Sequence, residues 1–246
     1  MHNLQRQHAV PLYLQIKRML EQEIASGALP PHTRVASERE LSERYGISRM
    51  TARQALAELI QEGRLYTSAG KGTFVAEPKI SQRILSLTSF TEEMRSRGIT
   101  PTTRLLRREL VPAEPQVAER LGRPTDAPVV CIERLRLGND EPMAIETAYV
   151  GFPGAERLMT LNLEGSLYAL LGQEFGIFPA TAIQECEAAL PQPRERALLG
   201  LDKHAPVLRI QRTTFDSQQQ PFEYVRSVYR GDRYRFVARL VRGDDA

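Results

Sequence analysis

The chain has 246 residues, 41% of them hydrophobic, and a formal net charge of +3. That length allows one large or two medium domains with packed cores, which excludes a mostly disordered chain, and the charge is too small to indicate nucleic acid by itself. No apolar run approaches the roughly 20 residues of a membrane helix, and the opening MHNLQRQHAVPLY lacks the apolar core of a secretory signal, so a cytoplasmic protein without a membrane partner is expected.

A first helix is predicted from Pro11, whose fixed φ suits a first helical position. Leu12, Ile16, Met19, Leu20 and Ile24 give it one apolar stripe, and Ser26-Gly27 ends it. Ser37 and Glu40 have capping-box spacing and open a second helix, with Leu41 and Tyr45 inward and Gly46 as its stop. Ile47 plugs the core in the tight turn. Ser48 caps a third helix to about Glu62, with Leu56, Leu59 and Ile60 as the expected buried stripe. Two helices across a short Gly-containing turn form the helix-turn-helix pattern. Arg64–Thr67 and Thr73–Val75, joined by Ser68-Ala69-Gly70-Lys71-Gly72, read as a hairpin, and a hairpin in that place is a wing.

Arg49 and Arg53 are one turn apart at the start of the third helix, with Thr51 between them. In this motif that end of the helix enters the major groove, where arginine can bond guanine O6 and N7 together. Arg39 and Arg34 suit phosphate or further base contacts, and Lys71 between Gly70 and Gly72 permits close approach of the wing. Each arginine taken singly could be part of a solvated face interleaved with Glu38, Glu40 and Glu43; the ordered set of elements argues against that.

The pieces SERELSERYGISRMTARQAL and GKGTFV, in this order after PLYLQIKRML, resemble the DNA-binding domain of the GntR family. The resemblance implies that Arg39, Arg49, Thr51, Arg53 and Gly70 to Gly72 touch double-stranded operator DNA; Arg34, Ser48 and Lys71 are further candidates for that contact. It also implies homodimers on a two-fold-symmetric operator. Pro31-His32 stands where that family commonly has a glycine.

Domain bounds of 1–76 for the winged domain, 77–85 for a connection and 86–246 for a second domain are expected. In the second domain the expected elements are helices at Ser89–Arg97, Pro115–Leu121, Ser166–Phe175 and Pro193–Leu199. Strands are expected at Thr103–Val111, Val129–Leu137, Pro142–Val150, Ala180–Leu190, Pro206–Asp216, Phe222–Tyr229 and Tyr234–Val241. Hairpins beside helices give an α+β class with a mostly antiparallel sheet. Cys131 and Cys186 lie in strand-like runs and read as buried free thiols; with four histidines there is no metal-ligand spacing, and no cofactor is expected.

Arg134 and Arg136 are two apart on one strand and so share a side, a pair suited to holding an anion. Ser166 and Tyr168 open a helix whose N-terminus adds N–H donors and positive dipole. Glu146 and Glu223 could accept from hydroxyls or an amine of a ligand. The alternative for these residues is a surface row and an ordinary helix cap.

Residues from about Ser89 to Leu240, through TSFTEEMRSRG, RLR, EPMAIE, GSLY and SVYRGDRYRF, are similar to the UTRA effector domain of the HutC branch of that family. The resemblance implies a chorismate-lyase-like fold and a small anionic effector. In amino-sugar regulators of this branch, a phosphorylated amino sugar is that effector. It places Arg134, Arg136, Ser166 and Tyr168 at the phosphate, and Phe90, Glu146, Glu223 and Tyr229 at the sugar end. Other members sense small carboxylates such as urocanate. A lyase-like enzyme is the competing class, but no activated nucleophile or cofactor loop is legible, and Gly70-Lys71-Gly72 is too short to cradle a nucleotide. A DNA binder that senses nothing is a third class, disfavoured by the apparent anion site.

Overall fold

The computed structural model describes residues 10–68, 70–77, 79–83 and 87–238. The N-terminal segment 1–9, Ala69 at the wing tip, Pro78, residues 84–86 of the expected connection and the last strand's end beyond 238 lie outside the described residues. The chain divides into two compact units, Met1–Lys79 and Ile80–Ala246.

In the first unit, α1 (Leu12–Ala25), α2 (Glu38–Tyr45) and α3 (Arg49–Gln61) pack around Ile16, Leu20, Leu41, Ala52, Leu56 and Leu59. Ser37 accepts from the Glu40 N–H while the Glu40 carboxylate accepts from the Ser37 N–H, closing the capping box. Gly46 then takes φ 61°, a left-handed turn that a side chain would oppose. Ser48 caps α3 through the Thr51 N–H. The stripe of α3 differs from the expected one: Ala52 and Ala55 are buried, while Ile60 is exposed.

Strands β1 (Leu65–Ser68) and β2 (Gly72–Val75) form the wing hairpin. Residues 32–35 run along β2, with His32 and Val35 donating to Val75 and Thr73. His32 adopts φ 65°, the conformation of the glycine common there, and its ring reaches the Tyr66 hydroxyl and the Glu77 carboxylate.

In the second unit a six-stranded antiparallel sheet has the order β4-β5-β6-β9-β8-β7. Its strands are β4 (Pro101–Pro112), β5 (Pro128–Gly138), β6 (Glu141–Val150), β7 (Thr181–Ala189), β8 (Val207–Phe215) and β9 (Pro221–Arg230). Within the expected connection 77–85, Ile80–Arg83 is a strand, β3, parallel to β10 (Tyr234–Val237). Its pairing partner lies more than 150 residues away in sequence, which local pattern does not reveal.

Alternation along β5 assigns the two faces of the sheet. Val130 and Ile132 pack under α6 (Leu167–Phe175) and a 3₁₀ turn (Ala155–Met159). Val129 packs with α5 (Pro115–Arg120), and Leu135 with α7 (Pro193–Leu199). Cys131 is buried as expected, but Cys186, on the edge strand β7, is exposed. A short helix, α4 (Phe90–Arg95), completes the unit.

Candidate effector pocket and DNA-facing surface

Arg134 and Arg136 continue the covered face of β5 past Ile132, and the register sets Arg134 opposite Glu146 on β6. Both arginines are buried, 5% and 1% exposed, so the surface-row alternative fails. The Glu146 Oε2 atom accepts from Arg134 Nη2 at 3.3 Å and forms an ion pair with Arg136 Nε at 3.4 Å without a hydrogen bond. The Tyr229 hydroxyl donates to the other Glu146 oxygen at 3.3 Å. Arg136 Nη2 donates to Thr91 at 3.0 Å, and its guanidinium lies 4.7 Å from the Phe90 ring centre. Arg134 Nη1 reaches the Gly165 carbonyl, one residue before the Ser166 cap of α6.

Two guanidiniums share one carboxylate here, and their donors are not all used. Arg136 Nε and Nη1 and Arg134 Nε are buried without a hydrogen-bond partner. Burial and the adjacent Arg136 charge pull the Arg134 pKa down to about 10. Unmatched buried cationic donors cost stability until an anion meets them.

These groups open onto a cavity between the sheet, α4 and the start of α6. Phe90, Arg134, Arg136, Glu146, Ser166, Tyr168, Glu223 and Tyr229, the residues singled out in the sequence, all line it. Opposite the arginines, Glu223 accepts from the Tyr168 hydroxyl at 3.0 Å and from Thr214 at 3.1 Å. Both glutamates expected to accept from a ligand also accept from protein donors, Glu223 through Oε2 and Glu146 through both oxygens. Burial pushes the Glu223 carboxyl up, against the pull of Tyr168 and Arg212.

Sequence reasoning missed Arg212 and Ser227, which also line the cavity. Arg212 donates through Nε and Nη2 to Gln184 of β7 at 2.8 and 2.6 Å. Strand alternation placing Arg212 with Ile210 and Thr214 was the available signal. On β9, Ser227 stands opposite Ile210 and Glu223 opposite Thr214, which brings them to the same cavity.

On the first unit, Arg34, Arg39, Arg49, Arg53 and Gly72 line one concave surface with Glu38 and Thr67. Arg39, Arg53 and Arg34 are 68%, 61% and 53% exposed. Arg49, Ser48, Gly70 and Lys71 are exposed as well. Arg53 forks onto Glu38, with Nε and Nη2 at 2.9 and 3.0 Å from the two carboxylate oxygens. Arg34 meets Glu40, and Arg39 stands 3.8 Å from Glu43. Thr51 is half-buried, its hydroxyl 2.8 Å from that of Ser48. Gly72 takes φ 116°, and a Cβ there would stand 3.4 Å from Arg34 Nε.

Two family models match the chain: bacterial regulatory proteins of the gntR family over residues 12–75, and the UTRA domain over residues 96–235. The HTH-type transcriptional repressor NagR of Bacillus subtilis (strain 168) is 43% identical over 235 residues, 96% of this chain and 97% of that protein. The histidine utilization repressor of Pseudomonas putida is 33% identical over 232 residues, covering 94% of this chain and 92% of its own. The crystal structure of PhnF from Mycobacterium smegmatis superposes with a TM-score of 0.64 at 33% identity, covering 93% of this chain and 98% of that one. No helix among the described residues is long and apolar enough to cross a membrane.

Proposed function

Because the chain belongs to the GntR family of bacterial regulatory proteins, as a DNA-binding transcription repressor with a UTRA effector domain, we propose that a phosphorylated amino sugar controls its grip on a palindromic operator. It acts as a cytoplasmic homodimer and represses genes of sugar or amino-sugar use. Arg49 and Arg53 read bases, Ser48, Thr51, Arg34 and Arg39 hold the helix-turn-helix on the DNA, and Gly70 to Gly72 bring the wing against the backbone.

Arg134, Arg136, Ser166 and Tyr168 take the phosphate of the effector. Glu146, Glu223, Phe90 and Tyr229 bound its sugar end. The observation that carries this reading is the pair of buried guanidiniums with unused donors lining the cavity beside the α6 N-terminus. A phosphate supplies several acceptor oxygens and the negative charge those donors lack.

Effector and operator favour different states of the dimer, so each weakens the other by the same factor. The test is operator affinity with and without hexosamine phosphates, together with the melting temperature in each. A rise in melting temperature and a fall in operator affinity are expected with at least one of them; no change with any would remove this effector class. A small carboxylate such as urocanate is the second reading, favoured by the identity to the histidine utilization repressor. It predicts the same response to carboxylates and none to phosphosugars. Turnover of chorismate or a phosphosugar by pure protein would revive the lyase-like enzyme.

A further inference from the structure

The ion pair between Glu38 and Arg53 joins the first residue of α2 to the outward face of α3. It lies on the surface that the proposed function gives to DNA, and its role rests on that reading. Both partners are substantially exposed, at 36% and 61%, so burial does not force them together. The fork is side-on: Nε and Nη2 of Arg53 each meet a different carboxylate oxygen. That uses two of the five guanidinium N–H groups. The end edge, with Nη1 and the second Nη2 hydrogen, is left to make two parallel bonds of the kind guanine O6 and N7 accept. The Arg39–Glu43 contact, at 3.8 Å and within one helix, imposes no such geometry.

A carboxylate on a DNA-facing surface repels every duplex alike. Bound to Arg53, it also cancels that arginine's attraction for phosphate. A long side chain held in one plane loses little further freedom on meeting a base. We propose that Glu38 is a specificity-determining positioning residue: it fixes the Arg53 guanidinium so that this arginine reads one base instead of docking on the backbone. The raised Arg53 pKa and lowered Glu38 pKa have this same pairing as their cause.

The experiment uses the full chain, a duplex it selects from a randomised library, and a scrambled duplex of equal composition, over a series of KCl concentrations. With Glu38→Gln, affinity for the scrambled duplex rises and the log–log salt dependence steepens by about 0.9, one more net phosphate contact. The selected-to-scrambled affinity ratio falls roughly 5- to 150-fold, the span of one bidentate base contact. Glu38→Asp keeps the charge but shortens the reach, so its ratio falls without the steeper salt dependence. In an Arg53→Gln background, Glu38→Gln lowers the ratio no further.

A ratio unchanged in both Glu38 variants, with melting temperatures showing folded protein, overturns the proposal while leaving the DNA-binding assignment standing. So does an equal further loss in the Arg53→Gln background. A wild-type chain that selects no duplex overturns the assignment and the proposal together.

Discussion

Burial pushes the Glu223 carboxyl above the usual range, while Tyr168, Arg212 and Thr214 each favour its charged form. A folded pKa above the ordinary value near 4.5 means folding favours the protonated form. The resulting stability is fully present below that pH and is lost as pH rises through the folded pKa. Glu223→Gln keeps an oxygen for Tyr168 and Thr214 without the buried charge. Its melting temperature should exceed the wild type's at pH 7, and the gain should shrink toward pH 4 in a pH series of thermal melts. The arginines carry the opposite expectation for binding. Arg136→Met removes the buried, unpartnered Nε and Nη1 donors of a cavity-lining residue and retains most of the volume. It should abolish effector-induced stabilisation while leaving effector-free operator affinity intact. Arg49→Ala should do the reverse, weakening operator binding by about 1–3 kcal/mol in a titration and sparing the effector response.

At the scale of elements, the wing and the capped helices depend on few atoms. Gly72→Ala forces a side chain onto φ 116° and against Arg34. It should loosen the wing and lower operator affinity, measured by anisotropy, with the effector unit's melting unchanged. What the sequence made legible here comes from locality. Ser37-x-x-Glu40, Gly46 and Ser48 act within one turn, so α2 and α3 could be placed from spacing and capping chemistry. Arg134 and Arg136 shared a face because strand alternation is also local. Their burial was not legible, since it depends on α4 and α6 closing over the sheet. The strand at Ile80–Arg83 and the role of Arg212 were missed because each depends on a partner supplied from another segment. Ile60 fell outside the buried stripe because Ala52, Ala55, Leu56 and Leu59, at i, i+3, i+4 and i+7, form the face that α3 turns to the core, and Ile60 stands at its margin.

For the whole molecule, a ligand that binds only the folded state stabilises it by an amount set by concentration over Kd. That is about 2.7 kcal/mol at a hundredfold excess. A matching effector should therefore raise the melting temperature in a concentration-dependent way. Saturating operator should weaken the effector by the factor that the effector weakens operator, which calorimetry on each order of addition checks.

The exposed thiol on the edge strand β7 gives the protein a chemical handle of its own. Of its two thiols, Cys186 lies open and Cys131 is sealed within the sheet's packing. A maleimide should thus attach once to the folded chain and a second time only when the protein opens. Gln184, two residues from Cys186 on the same strand, is bonded to Arg212 in the cavity wall. A dye at Cys186 would sit beside the pocket's own framework, and its emission could follow effector binding without any engineered site.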